Sequence, residues 1–400
     1  MSDKKTNIAE KENFMDFKGL RVFVIDGYCR QVAVILRELY KLGCEITTLN
    51  QSKLDIGNTS RYPKTKIVEP LIKGNLDELK KILDRELPSG KYDVVFPMTE
   101  PSTELLLENE EEYKKYVKYA CADKEGFYKA YDKQLTMTIC MENGINCPLT
   151  KTDNETLDEF LSKVSFPLAL KPRKGSGSRG FYRADSKAIL MNLIDSGKVV
   201  VEEYVIQEFI NEAEVHRVSY TFIDHEGNVK SSMISKSTRP YPLVIGTNSL
   251  FESVDMPEIA SQAEKLLKLM GWRGYASVCF IESDKDGIPK VMEINGRISA
   301  SLKTGIEAGL PLVRQILEFA MGKEVTMMPE KLEYGVRVVH SQSSVLWFIK
   351  SHDRFRKEPT SNGNRKRRDV VFTWRDPMPY FGYSIQCLQK YKSEMKKRER

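Results

Sequence analysis

Four hundred residues, 41% of them hydrophobic and 30% charged, are enough for two or three globular domains, each with its own core. The net charge of +6 is mild and much of the excess lies near the C-terminus, so charge alone does not imply nucleic acid. Seven cysteines are scattered without a C-x-x-C pair, which argues against a disulfide framework or structural zinc and fits a reducing cytosol. The histidines are scattered too, so no His-rich metal centre is visible. Residues 1–17 are charged, lack the apolar core of a signal peptide and read as a disordered lead. No apolar run approaches the length of a membrane span, so no membrane partner and a cytoplasmic location are expected.

Arg21–Ile25 predicts a short buried strand, Asp26-Gly27 a turn, Gln31–Leu42 a helix and Glu45–Leu49 a second strand. This is a βαβ unit of an open parallel sheet. A helix over Leu76–Leu83, a strand over Tyr92–Pro97 and a helix over Thr103–Tyr119 complete a unit spanning 18–123. Such sheets bind ligands at the carboxyl ends of their strands, here near Asp26–Arg30 and Met98–Ser102. A helix over Lys124–Asn143 opens a second unit, 124–325, whose residues 145–203 or so form a small α+β lobe able to move as a lid. In that lobe Leu157–Val164 and Ser186–Ser196 read as helices, Phe166–Leu170 and Phe181–Arg183 as strands. Antiparallel strands follow at Val205–Glu208, Val215–Ile223 and Val229–Ser237, then a helix over Met256–Met270. Tyr275–Ile281 and Pro289–Ile294 form a strand pair, and Ile306–Met321 a final helix. Residues 326–400 are a less regular C-terminal extension with basic clusters at Arg365–Arg368 and Lys396–Arg400. These clusters lack an interleaved aromatic surface, so they read as solvated charge and no nucleic-acid partner is expected.

Three stretches carry chemistry. Lys171-Pro-Arg-Lys-Gly-Ser-Gly-Ser-Arg-Gly180 joins two strands. Its glycines let backbone N–H groups turn toward an anion, and its cations neutralise phosphate charge. It is not a Walker A loop, because Phe181-Tyr182 follows where that motif has Lys-Ser/Thr and a helix. By itself it serves equally as a plain turn with a surface lysine. Val205–Ile210 is apolar apart from Gln207 and Glu208, so the Glu208 carboxylate needs a partner or an edge position in water. Its functional reading sets the backbone against an adenine edge, with Glu214 accepting from ribose hydroxyls. In Glu293-Ile-Asn-Gly-Arg297 the strand period puts Glu293, Asn295 and Arg297 on one face. Glu293 and Asn295 offer oxygen ligands to a hard cation, and Arg297 can clamp phosphate or carboxylate.

In this order and spacing, Lys171–Gly180, Gln207–Ile210 and Glu293–Arg297 resemble the ATP-grasp superfamily, nearest its carbamoyl-phosphate-synthase-like branch. Asp132-Lys133 and Asn143-Gly-Ile-Asn-Cys-Pro148 resemble that family's D-K…G-I-x-x-P segment. The likeness covers about residues 18–325 and implies a mixed α/β and α+β architecture. An ATP-grasp fold would follow a Rossmann-like parallel-sheet domain. Carried over by position, it implies that Lys133 and Lys171 contact ATP phosphates. Ser176, Gly177, Ser178 and Gly180 would lie in the loop over them. Glu208, Phe209 and Ile210 would line the adenine site, and Glu214 would bind ribose. Glu293 and Asn295 would hold magnesium, with manganese able to replace it. Arg297, with Lys171, would act at the transferred phosphoryl group. The implied reaction is ADP-forming ligation of a small carboxylate to an amine. An acyl phosphate or carboxyphosphate made without amine ligation, or an impaired nucleotide-binding module, are the alternatives. Arg239, Lys303 and Arg30, with Glu100, are candidate substrate contacts that serve equally as solvated charges. A homodimer is the expected assembly.

Three departures stand out. Cys279 occupies the position where the family usually has Glu, Asp or Gln as a further magnesium ligand, and a thiol is a poor ligand for magnesium. Ala300 stands where carbamoyl-phosphate synthases carry another arginine, which makes carbamate chemistry doubtful. Gly296 replaces the proline of the family's N-P-R.

Overall fold

The computed structural model describes residues 17–175, 180–210, 212–241, 243, 247–283, 286–352, 354–355 and 367–398. For 212–215, 283, 367 and 390–398 only the backbone course is described. The expected disordered lead lies outside these residues except for Phe17, which is 5% exposed. Its amide donates to the Leu42 carbonyl at 3.2 Å, and Lys323 Nζ sits 4.7 Å from its ring centroid. Folding therefore begins within that lead, because burying a phenylalanine outweighs the polar residues before it.

Strands β1 (Arg21–Val24), β2 (Glu45–Asn50), β3 (Thr65–Val68), β4 (Val94–Phe96) and β5 (Lys118–Tyr119) form a parallel sheet in the order β3-β2-β1-β4-β5. The helix Val32–Lys41 buries Val32, Ile35, Leu36 and Leu39 at helical spacing, as its pattern predicts. The expected helix over Thr103–Tyr119 is instead Glu100–Glu108 and Glu110–Tyr113, and its last residues pair with Val94 and Val95 as β5. Two residues beyond β1 stands Asp26, a buried non-glycine residue at φ 60°. Its Oδ2 accepts from Met98 N at 3.2 Å and Ser102 Oγ at 2.5 Å. These bonds tie the carboxyl ends of β1 and β4 together and leave Arg30 just beyond them.

The expected single helix over Lys124–Asn143 is broken at Asp132 into Lys124–Tyr131 and Lys133–Glu142. The lobe that follows holds the antiparallel sheet β7-β6-β8, from β6 (Leu168–Pro172), β7 (Tyr182–Ala184) and β8 (Tyr204–Glu208). Phe160, Leu168, Leu170, Leu190 and Ile206 give it a core of its own, which is the physical requirement for moving as a body. A seven-stranded sheet forms the floor opposite. It contains β9 (Glu212–Ile223), β10 (Val229–Tyr241), β11 (Thr247–Val254), β12 (Gly274–Ser283), β13 (Pro289–Asn295), β14 (Arg337–Val339) and β15 (Arg367–Asp369). Their order is β13-β12-β9-β10-β11-β14-β15. The expected last helix, Ile306–Met321, is two helices, Leu302–Glu307 and Leu312–Ala320. Gly309 at φ 112° and Pro311 interrupt it.

Residues 326–400 are more ordered than their composition suggests. β14 pairs with β11, β15 pairs with β14, and the helix Ser341–Lys350 packs on β10 and β11. The helix Met378–Arg398 then reaches back to the first unit, against the short helix Ile56–Thr59. Ser60 Oγ donates to Asp376 Oδ2 at 2.6 Å, and Gln386 Nε2 to Asp55 Oδ1 at 2.5 Å. The extension thus clamps the floor sheet to the parallel-sheet unit. Among the described residues no helix is long and apolar enough to cross a membrane.

Candidate active site

Between lobe and floor lies a cleft of about 350 Å³. Lys133, Lys171, Glu208, Phe209, Ile210, Glu293, Asn295, Arg297 and Arg30 all line it. Residues spread over the sequence from 30 to 297 therefore meet in one cavity. Ser176, Gly177 and Ser178 lie outside the described residues, and of Glu214 only the backbone, on β9, is described.

One end is cationic. Lys171 closes β6, and its Nζ donates to the Met292 carbonyl at 3.0 Å, tying lobe to floor. Loss of water around the ammonium pushes its pKa down to about 8, against the opposing pull of Glu293. The break at Asp132 turns Lys133 toward the glycine loop, where its Nζ donates to the Gly175 carbonyl at 2.5 Å. Asp132 accepts from Gln134 N at 2.9 Å and pairs with Arg173 at 2.7 Å, so the loop's first arginine is neutralised there. Gly180 lies at φ 72°, and a Cβ there would meet Pro172 Cγ at 2.9 Å, so both conformation and space require glycine. Two ammonium groups beside a glycine loop can hold a polyphosphate.

Part of the wall is apolar, with Ala169, Phe209, Ile210, Val218 and Phe280 lining it. Arg183 stacks 4.6 Å from the Phe209 ring centroid. The partner that Glu208 needs is Lys290, at 2.9 Å, and the same carboxylate oxygen accepts from Leu149 N at 3.0 Å. An apolar slot of this kind suits a heteroaromatic ring.

On the floor, Cys279 of β12 faces Glu293 of β13 across the strand pair. Asn295 Nδ2 lies 3.3 Å from both Glu293 Oε1 and Cys279 Sγ. Burial, reinforced by Glu293, pushes the Cys279 thiol up, so it stays protonated. Glu282 is held by Arg217 at 2.8 Å and does not line the cleft, so it does not replace the missing carboxylate. Among the described residues no cluster of three or more His, Cys, Asp or Glu side chains could hold a metal. One carboxylate and one amide oxygen remain. That donor set fits magnesium, which takes one or two carboxylates and completes its shell with phosphate oxygens and water. Gly296 follows because a Cβ there would meet Trp272 Cη2 at 2.9 Å and Phe127 Cδ2 at 3.1 Å. The two rings occupy the space that a proline at 296 would need. Gly296→Ala should therefore lower stability by about 1–3 kcal/mol, read as a drop in thermal midpoint. An unchanged midpoint would mean that the rings yield.

Two expected substrate contacts lie elsewhere. Lys303 is 2% exposed, and its Nζ donates to the Asp369 carbonyl at 2.5 Å. It fastens the C-terminal extension to the helix Leu302–Glu307, and burial pushes its pKa down to about 8. Arg239, at φ 64°, donates to Ser344 Oγ at 3.1 Å and stacks 5.1 Å from the Trp347 ring centroid. The packing of the extension takes both. Glu100 is 7% exposed in the first turn of its helix and is not among the cleft residues. Conversely, Gln207, Asn248, Ser277 and Ser299 line the cleft and were not singled out. Gln207 opens the Gln207–Ile210 segment that carries the family likeness. Asn248 and Ser277 carry no sequence signal, since strand pairing alone brings them there, and Ser299 enters on the stretch that follows β13.

An ATP-grasp domain family model matches residues 130–301. D-alanine–D-alanine ligase from Francisella philomiragia subsp. philomiragia is 30% identical over 210 residues, covering 47% of this chain and 67% of the relative. The carbamoyl phosphate synthase large chain of Thermomicrobium roseum is 23% identical over 305 residues, 74% of this chain but only 28% of that one. Among solved structures, the biotin carboxylase domain of Hydrogenobacter thermophilus 2-oxoglutarate carboxylase, in complex with MgADP, superposes with TM-score 0.65 at 16% identity. That match covers 80% of this chain and 74% of the other, and it concerns the fold alone. By sequence and architecture together, the chain belongs to the ATP-grasp family.

Proposed function

We propose that the chain is an ATP-dependent ligase that joins a small carboxylate to an amine through an acyl phosphate. The observation that carries this reading is the convergence of Lys133, Lys171, Glu293, Asn295 and Arg297 on one cleft that also has an apolar slot. The D-alanine–D-alanine ligase relative supports the amine step. ATP lies with its base in the slot beside Phe209 and Ile210 and its phosphates toward the two lysines. The family likeness, and not the described geometry, assigns phosphate contacts to Ser176, Gly177 and Ser178 and a ribose contact to Glu214. Glu293 and Asn295 would hold a magnesium ion, which would neutralise phosphate charge and polarise the transferred group.

An oxygen of the acid attacks the γ-phosphorus, and ADP leaves with the electrons of the broken P–O bond. The amine nitrogen then attacks the acyl carbon. A C–N bond forms, the C–O bond to phosphate breaks, and the departing phosphate takes the amine proton. The chain provides no covalent nucleophile. It orients the reactants and stabilises charge, with Arg297 at the transferred group. Closure of the lobe excludes water, which otherwise hydrolyses the acyl phosphate. We also hold a homodimer as the assembly, supported by exposed apolar side chains on the C-terminal helices, among them Phe348, Phe381 and Leu388.

The test is an ADP-release screen pairing small acids with amines, with mass spectrometry of the products. ADP release that requires both partners supports the ligase. Release without an amine favours the acyl-phosphate reading, and ATP binding without turnover the impaired module. Cys279→Asp checks the metal set separately. Placing a carboxylate opposite Glu293 should keep or raise turnover and lower the magnesium concentration needed for half-maximal rate. Collapse of activity in a folded variant would show that the thiol is required as it stands.

A further inference from the structure

The chain crosses from floor to lobe over residues 145–151, a strap that runs back along the helix Lys133–Glu142. Gly144, at φ 62°, makes the turn. Ile145 N then donates to the Cys140 carbonyl at 2.9 Å. Cys147 Sγ reaches the Met137 carbonyl at 4.0 Å, and Gln134 Nε2 donates to the Lys151 carbonyl at 2.7 Å. Cys140, Met137 and Gln134 follow one another at three-residue spacing, so the strap is registered against the helix turn by turn. Along the way it changes partners. Asn146 O accepts from Val291 N of β13 at 2.7 Å, whereas Leu149 O accepts from Glu208 N of β8 at 2.9 Å. Cys147 and Pro148 therefore stand where floor gives way to lobe.

Two thiols meet at that point. Helix side chains lean toward the helix N-terminus, so Cys140 lies over the turn that carries the Met137 carbonyl, where Cys147 Sγ sits. Cys140 belongs to an apolar core cluster and is fully buried, and Cys147 packs against the same cluster while partly exposed. The Cys140 S–H donates to Cys147 and holds that thiol below its ordinary pKa, against burial. The Lys290 and Lys171 ammonium groups act in the same direction and Glu208 in the opposite one. Burial pushes Cys29, Cys44, Cys121 and Cys279 up, so they stay protonated. The thiolate is the nucleophile, so Cys147 is the more reactive sulfur and Cys140 is in place to bond to it.

We propose that Cys147 and Cys140 form an oxidant-sensing dithiol, which hydrogen peroxide converts to a disulfide that fixes the strap to the helix and restrains the lobe. The Cys147 thiolate attacks a peroxide oxygen, the O–O bond breaks, and hydroxide leaves a sulfenic acid behind. The Cys140 sulfur then attacks the Cys147 sulfur. An S–S bond forms, the S–O bond breaks, and the departing hydroxide takes the Cys140 proton. The sulfur pair is oxidised, and the peroxide is reduced to hydroxide and water. In a reducing compartment such a bond is transient, as a sensor requires. Drawing the strap onto the helix at the hinge point hinders closure of the lobe over a nucleotide. The disulfide itself does not depend on the ligase reading. Its effect on nucleotide rests on the cleft being an ATP site.

The full chain, first reduced and then treated with hydrogen peroxide, is digested and analysed by mass spectrometry. The segment 140–147 is expected to lose two hydrogen masses, and dithiothreitol should restore them. Cys147→Ser should leave Cys140 unoxidised. Cys140→Ser should stop at a Cys147 sulfenic acid that dimedone traps, and Cys140→Ala gives the same readout if the serine variant does not fold. Calorimetry with magnesium and a non-hydrolysable ATP analogue reads the lobe. Oxidation should weaken binding by about fivefold or more in the parent chain, reversibly, while each serine variant stays within about twofold of the reduced parent. The proposal is overturned if peroxide leaves both thiols free, if Cys147 of the parent is oxidised without bonding to Cys140, or if the disulfide forms and binding is unchanged. Absence of nucleotide binding in the reduced parent removes the ATP reading instead. Amide hydrogen exchange then decides the hinge. It should slow across residues 145–151 on oxidation, and unchanged exchange overturns the proposal.

Discussion

Glu293→Gln should lower ATP-dependent turnover by a factor on the order of a hundred to a thousand, with the fold intact. The substitution keeps shape and a carbonyl that can still accept from Asn295 Nδ2, now 3.3 Å from the carboxylate. What disappears is the one carboxylate of the proposed metal set, and its neighbour Cys279 is a protonated thiol that cannot take over. The same change removes the charge that supports the Lys171 ammonium, so the Lys171 pKa should fall further below its present value of about 8. Steady-state ADP release, with circular dichroism as the folding control, checks the rate. Near-parental turnover would mean that the metal set has been assigned to the wrong residues.

Lys171→Ala should weaken nucleotide binding by about ten- to hundredfold and lower turnover at least as much, since a charge-assisted contact to phosphate is lost in a desolvated site. Its pH dependence has two opposite signs. A folded-state pKa near 8, against an ordinary 10.5, means that between these values the unfolded chain holds a proton that the ligand-free fold lacks. Stability of the ligand-free protein should therefore rise with pH across that window. Lys303, also pushed down to about 8, contributes in the same direction, so Lys171→Ala removes only part of the rise. Nucleotide affinity should do the opposite and fall as pH rises through about 8, because the neutral amine no longer attracts phosphate. Denaturant melts and nucleotide titrations between pH 7 and 10.5 read the two trends. If they move together, Lys171 is not the titrating group.

The elements legible in the sequence are those whose own period reports burial. The helix Val32–Lys41 and strands β1, β2, β12 and β13 lie close to where hydrophobic spacing predicts them. β3 and β5 were missed because an exposed edge strand and a two-residue strand carry almost no pattern. Three long helices were expected where the chain has pairs. Their apolar spacing runs on through Asn109, Asp132 and Gly309, and local backbone geometry ends the first helix in each case. β11, which supplies Asn248, is not legible in the sequence, because its pattern makes sense only beside β10 and β14.

The cleft divides along the same line. Lys171, Glu293, Asn295 and Arg297 could be selected from sequence, since each sits in a short segment whose residue types limit the chemistry. β13 is local in that sense, and the sequence by itself determined it. Whether a charged side chain reaches the cleft is not local. Lys303 and Arg239 were candidates by position, yet the C-terminal extension takes both through Asp369, Ser344 and Trp347. Arg30 was no better a candidate than these, and it enters the cleft because His340, 310 positions away, accepts from it. Only the tertiary structure decided between them, because a long cation satisfies its charge wherever a partner lies within a few ångströms. Sequence distance carries no information about that partner.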